Sequence, residues 1–277
     1  MSNIHGNKQY EQRARLILPI LVRQAQAGQT ITYMGLSRET GIHQRGFSYP
    51  LGTVAEALQD LSKQWGEPIP ALTSMVIYAT TGVPGPGFGW AVTDMDGYKD
   101  MRAWEQKTVA NKAREECFHY DMWPAVLHAL RLKPLEPAVP PALVDTARGK
   151  GGEGEAHRRL KEYVAAHPEV VGHADWKVRG RTEYHLPSSD AIDVLFQTPW
   201  TWLAVEVKAA NAGTADILRG LFQCVKYQAL LEAEARVTDR PVAIASVLVL
   251  EGALPNELVA AHNTLGITVF EGVSPGS

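Results

Sequence analysis

The chain is poor in cysteine. Cys117 and Cys224 are the only two among its 277 residues. Two are too few for a disulfide scaffold or a structural zinc site, and a reducing cytoplasm is the expected location. A long apolar run is also missing: nothing approaches the ~18 residues that a membrane span needs, so no membrane partner is expected. The early run Leu16-Ile17-Leu18-Pro19-Ile20-Leu21-Val22 ends at Arg23, and no small-residue cleavage site follows. It reads as an amphipathic helix and not as a signal peptide. Neither sign of charge is in excess. Lys and Arg number 27 against 30 Asp and Glu, a net charge of −3. A strongly basic nucleic-acid binder is thereby excluded, whereas a shaped, locally basic groove is not. Internal repeats are absent. What is present is ordinary globular material, 45% hydrophobic and 21% charged, which argues against a largely disordered chain.

Proline and glycine divide the chain in two. Between Leu132 and Gly154 lie Pro134, Pro137, Pro140, Pro141, Gly149, Gly151, Gly152 and Gly154. Proline removes helix hydrogen bonds and glycine is costly to order, so this stretch reads as a linker. The expected organisation is residues 1–131 as a helix-rich domain, 132–152 as linker, and 153–277 as a second domain.

In the first half, Ala14, Ile17, Leu18, Leu21 and Ala25 recur at helical spacing and predict a helix over Tyr10–Gln26. Thr30–Tyr33 reads as extended and Gly35–Thr40 as a short helix stopped by Gly41. A further helix is expected over Leu51–Trp65, a strand over Leu72–Ala79, and a rigid loop over Gly82–Phe88. Trp104–Leu130 reads as helical, with Trp104, Val109, Phe118, Trp123 and Leu127 as buried anchors; Trp65 and Trp90 are also assigned to the core. Helix, short helix, helix and a strand with a glycine-rich wing is the layout of a winged helix. Ile31-Thr32-Tyr33 through Gly87-Phe88 resembles the DNA-binding domain of alkylguanine alkyltransferases and their relatives. The reactive cysteine of that family would fall near Pro70-Ala71-Leu72, where this chain has none, so alkyl transfer is excluded. The resemblance implies a substrate-recognition role. A protein-contact module is the alternative.

The second half alternates more regularly. A helix is expected over Glu153–Ala166, strands over Trp176–Leu186, Ala191–Phe196 and Thr201–Lys208, and a helix over Leu218–Ala235. A strand at Val242–Leu250, a helix at Asn256–Asn263 and a strand at Ile267–Phe270 complete it. The order is α-β-β-β-α-β-α-β, an α/β fold with a three-strand meander and a crossover helix.

Within the strand Ala191-Ile192-Asp193-Val194-Leu195-Phe196, alternation puts Ile192, Val194 and Phe196 on one face and Ala191, Asp193 and Leu195 on the other. In Leu203-Ala204-Val205-Glu206-Val207-Lys208 the same rule groups Val205 with Val207 and Glu206 with Lys208, about 6.6–6.8 Å apart. A carboxylate inside an apolar strand is costly without a cation or donor. Two converging carboxylates repel unless a divalent cation lies between them. Mg2+, which prefers oxygen ligands and keeps waters, fits such a site, and Mn2+ would substitute. A lysine beside a metal-bound water makes the set suited to phosphodiester hydrolysis.

This pattern, Asp193 followed by Glu206-Val207-Lys208, resembles that of the PD-(D/E)xK, restriction-endonuclease-like nucleases over roughly residues 150–250. Gln223-Cys224-Val225-Lys226-Tyr227 is similar to the Gln-x-x-x-Tyr motif of their RecB-like branch. The resemblance implies a restriction-endonuclease-like αβββαβ core and a Mg2+-dependent nuclease. It further implies Asp193, Glu206, Lys208 and Glu155 as catalytic residues, with Asp193, Glu206 and Glu155 as metal ligands and Gln223 and Tyr227 on substrate. The family's Pro-Asp pair is absent, so Asp190 competes with Asp193, although its position after Pro187-Ser188-Ser189 suits a turn. For the helix acid, Glu153 and His157 compete with Glu155. DNA is the expected substrate, in restriction, phage defence or repair. RNA cleavage, or a silent binding module that keeps the nuclease fold, is the alternative, and a homodimer stays open.

Overall fold

The computed structural model describes residues 3–92, 97–136, 138, 154–188, 190–237 and 241–275. The chain forms two compact units, Met1–Ala138 and Val139–Ser277. The division falls inside the expected linker, of which only 132–136 and 138 belong to the described residues.

The first unit is built on α1 (Gln9–Gln26). Its stripe Ala14, Ile17, Leu18, Leu21 and Ala25 is buried, as the helical spacing requires. The helix starts where the Glu11 carboxylate accepts the Lys8 amide at 2.8 Å. Strand β1 (Ile31–Thr32) leads into α2 (Tyr33–Thr40), which Thr32 Oγ1 caps by accepting from the Gly35 amide, and which Gly41 ends at φ +69°. Helix α3 (Ser48–Trp65) ends at Gly66 in the same left-handed conformation. Against these helices packs a turn of 3-10 helix, Leu72–Met75, followed by β2 (Val76–Ile77).

The expected strand over Leu72–Ala79 is thus mostly a 3-10 turn. Its two strand residues pair in parallel with β1, whereas a wing is an antiparallel hairpin. Among the described residues the winged arrangement is not formed. The loop Gly82–Phe88 closes in a second 3-10 turn, Pro86–Phe88, and runs into the single-turn helix α4 (Gly89–Val92). The continuous helix expected over Trp104–Leu130 is two helices, α5 (Ala103–Phe118) and α6 (Trp123–Ala129). The break is anchored by buried Trp123, whose indole N–H donates to the Cys117 carbonyl at 2.9 Å. Trp104 is exposed and is not a core anchor.

The second unit begins with α7 (Glu155–Ala166), then β3 (Arg181–His185), β4 (Ala191–Gln197) and β5 (Thr201–Lys208). The long helix α8 (Thr214–Val237), β6 (Ala243–Leu250), α9 (Val259–Leu265) and β7 (Thr268–Phe270) complete it. The sheet order is β3-β4-β5-β6-β7. The first three strands are an antiparallel meander, and β5, β6 and β7 run parallel. The crossover helix puts β6 beside β5, so β5 is a central strand, which is why its residues from Trp202 to Val207 are all buried. Leu160 and Val164 of α7 cover Val194, Val205 and Val207. On the opposite face, α8 covers Leu248 and Leu250 with Leu218 and Leu221, and Ile192 and Ala204 with Tyr227 and Leu231. Of the strand expected over Trp176–Leu186 only Arg181–His185 pairs.

Candidate active site

The meander brings the start of β4 beside the end of β5, and this juxtaposition assembles the site. Val205 and Val207 point to α7, while Glu206 and Lys208 share the α8 face, as alternation requires. Strand β4 departs from the expected alternation. Ile192 packs with Leu195 on the α8 face, while Val194 and Phe196 lie on the α7 face. The strand turns over at Asp193. Both ladders lapse there too: β4 pairs with β5 only from Val194 onwards, and the β3–β4 register passes over residue 193. The Asp193 carboxylate itself takes the place of a ladder acceptor, its Oδ2 receiving the Val207 amide at 2.9 Å.

The other oxygen, Oδ1, meets His157 Nε2 of α7 at 3.2 Å. Of the two candidates on that helix, Glu155 and His157, the structure brings His157 to the carboxylates. Glu155 is two residues away, roughly 200° around the helix. It pairs instead with Arg158 at 2.7 Å on the exposed side. Glu155 is thus not brought to the carboxylates, whereas His157 is; Glu153 lies outside the described residues. Asp190 sits in the β3–β4 turn, where the Leu186 amide donates to its carbonyl at 2.8 Å. Its carboxylate is taken up by Lys226 at 2.6 Å and Ser188 at 2.7 Å.

Glu206 is 2% exposed, and its Oε1 is 2.5 Å from Lys208 Nζ. Lys208 also donates to Gln223 Oε1 at 3.4 Å; Gln223 Nε2 donates to the Tyr227 hydroxyl at 3.1 Å; and Tyr227 donates to the Ala191 carbonyl at 2.8 Å. Residues four apart on α8 thus form a relay from the lysine back to the first residue of β4. Tyr227 is buried and its hydroxyl is engaged in both directions. It supports the lysine through Gln223.

The two carboxylates are driven apart. Burial, and then the charge of Asp193, push Glu206 up to about 7, against the pull of Lys208. Burial also opposes ionisation of Asp193, but the hydrogen bonds from His157 and the Val207 amide outweigh it and hold the group below the usual carboxylate range. His157 is raised by its hydrogen bond to Asp193, with burial acting against it. Environments that separate paired titratable groups in this way are characteristic of functional sites. Cys224 lies buried close by, pushed up to about 12 chiefly by burial, which leaves it a thiol and a packing residue.

Among the described residues no three His, Cys, Asp or Glu side chains stand as a ready-made metal cluster. The carboxylates are engaged with His157 and Lys208 instead. The donor set nevertheless fits a hard divalent cation: two carboxylates and an imidazole, with Glu206 pushed up to about 7 by burial and its acidic neighbour.

Three contributors were not singled out in the sequence. Gly220 lets α8 close on β5, since a Cβ there would stand 2.9 Å from Leu248 Cδ1 and 3.0 Å from Lys208 Cε. A glycine inside a long helix is the signal that could have found it. Lys161 and Glu183 form an ion pair beside the site, and Lys161, four residues after His157 within an apolar stripe, was legible as a misplaced charge. A comparison of the chain with family models, curated proteins and solved structures finds no match.

Proposed function

We propose that the C-terminal unit is a metal-dependent nuclease that hydrolyses phosphodiester bonds in DNA. The observation that carries this reading is the meeting of Asp193, Glu206, Lys208 and His157 at one end of the sheet, on β4, β5 and α7. The element order from α7 to β6 supports a restriction-endonuclease-like core, with the RecB-like branch as the resemblance to which the α8 pair Gln223 and Tyr227 belongs. Asp193, Glu206 and His157 would hold Mg2+ or Mn2+. A divalent cation bound there supplies charge neutralisation at the phosphoryl oxygens and a more acidic water. Lys208, which pairs with Glu206, would be the group that neutralises charge on a scissile phosphate. Gln223, held by Tyr227, keeps the lysine at the site. Asp193, tied to the Val207 amide, presents a carboxylate of fixed direction. Burial beneath α8 excludes water from the Glu206 side. The N-terminal unit serves to engage the substrate.

Incubation of the full chain with linear, circular and single-stranded DNA and with RNA tests this reading, each with Mg2+, Mn2+ or EDTA. Cleavage of DNA that needs the cation is the expected result. Cleavage that survives exhaustive chelation rejects the mechanism. RNA-only cleavage corrects the substrate, and binding without cleavage in every metal identifies a silent module.

A further inference from the structure

Lys161 carries a charge where α7 is otherwise apolar. Leu160, Val164 and Ala165 around it are fully buried, and Lys161 itself is 3% exposed. A buried ammonium needs a counter-charge, and it meets the carboxylate of Glu183 on β3. Glu183 adopts an unusual backbone for that purpose. Its φ is +53°, the left-handed region that a non-glycine residue in a strand enters only at a cost of order 1 kcal/mol or more. The β3–β4 register pairs Thr182 with Val194 and Tyr184 with Ile192. Glu183 is therefore the residue opposite Asp193. In a regular antiparallel ladder, opposite side chains lie on one face with Cβ atoms about 4.5–5.5 Å apart. Glu183 and Asp193 both turn to α7, Glu183 to Lys161 and Asp193 to His157, and Asp193 is the point at which β4 itself turns over. His157 and Lys161, one helical turn apart, face the sheet together: one receives Asp193 and the other holds its cross-strand neighbour.

We infer that Lys161 and Glu183 are positioning residues: their ion pair clamps the kink in β3 and so holds the Asp193 carboxylate on His157 and on the Val207 amide. The role deepens the nuclease reading and rests on it for any effect on cleavage. The geometry can be tested without metal, substrate or activity, so failure of the clamp and failure of the nuclease assignment give different results.

The probe is hydrogen exchange of the Val207 amide, which Asp193 Oδ2 accepts, in metal-free full-length protein. Glu183→Val favours extended backbone and removes the carboxylate that meets Lys161. A hydrogen bond to a charged acceptor contributes about 1.5–3 kcal/mol, so its loss should speed Val207 exchange by about tenfold or more. The amides of Val247 and Val249 should stay within about threefold of the parent, since sub-global opening is local. Glu183→Gly keeps the left-handed backbone accessible and should accelerate Val207 less than Glu183→Val does. If Glu183→Val fails to fold, Lys161→Met carries the test with the same Val207-selective acceleration expected. Val207 remaining as protected as in the parent, or all core amides accelerating together, overturns the inference and leaves the pair as an ordinary stabilising contact.

Discussion

Both units bury ionisable side chains, but they treat them in opposite ways. In the first unit the carboxylates of buried Glu11 and partly buried Glu39 are satisfied close at hand. Arg23 grips Glu39 through both guanidinium nitrogens at 2.6 and 2.9 Å, and also donates to Gln24 Oε1. Gln24 in turn donates to the Thr30 carbonyl, and Glu11 caps the start of α1. The contacts of Arg23 with Glu39 and of Gln24 with Thr30 tie helix α1 to neighbouring segments. In the second unit two carboxylates press on each other, one lysine serves Glu206 and one imidazole serves Asp193. Burial alone does not mark a functional site; burial with unresolved repulsion does.

The largest effect that could break this comparison is on cleavage. Asp193→Asn should reduce the cleavage rate by about a thousandfold or more, because it removes a fixed anionic ligand and the partner of His157. Asp190→Asn should stay within about threefold, because an asparagine can keep its place in the turn. Single-turnover rates of the two variants decide it; the reverse pattern would move the site into the β3–β4 turn.

The next effect is on stability in the first unit. Arg23→Met leaves Glu39 partly buried and without its guanidinium, which should cost about 2–3 kcal/mol. Urea unfolding measures the cost, and the cleavage rate per folded molecule should not change. A neutral result would mean that the satisfied pair contributes little.

Glu206→Gln should act in the opposite direction. Glu206 is pushed from 4.5 up to about 7 in the fold. Its ionisation therefore opposes folding increasingly as pH rises from about 4.5 to 7 and fully above that. Asp193, held low, contributes stability above its ordinary value that is lost as pH falls through its lowered one. Neutral glutamine should thus stabilise the protein by about 1–2 kcal/mol at pH 8 and by almost nothing at pH 4. Urea midpoints at the two pH values check the sign. Stabilisation that is equal at both would show that burial and Asp193 together do not raise Glu206 in the fold.

Tyr227→Phe should have the smallest effect. It removes the donor to Ala191 and the acceptor of Gln223, at about 1 kcal/mol of stability. The cleavage rate should fall by a few-fold with KM unchanged, because the variant frees the lysine without touching substrate. A change in KM alone would put the tyrosine on substrate after all.

Where the pattern is regular, the sequence was easy to read. The stripe of α1 follows from its helical period, the span Thr201–Lys208 of β5 from its apolar run, and the pairing of Glu206 with Lys208 on one face from alternation. What period cannot show is a strand that turns over. Asp193 breaks alternation because the Val207 amide and His157 outcompete the ladder for its carboxylate, and both partners are distant in the chain. The choice between Glu155 and His157 depended on the rotation of α7 about its axis, which packing of Leu160 and Val164 decides. The Leu72–Ala79 segment looked like a strand for its apolar run, but burial against α1 and α3 accommodates a 3-10 turn equally well.

The central claim is that Lys208 belongs to the chemistry and not to the packing. Its side chain is 13% exposed and sits 2.5 Å from Glu206, so both roles are open to it in principle. The most direct measurement is the cleavage rate of Lys208→Ala with Mg2+ on linear DNA, beside circular dichroism and thermal unfolding of the same preparation. The account predicts a rate lower by about a hundredfold or more, with the spectrum unchanged and an unfolding midpoint lowered only as far as the loss of Glu206's lysine requires. A folded Lys208→Ala protein that cleaves within about threefold of the parent rate would contradict it.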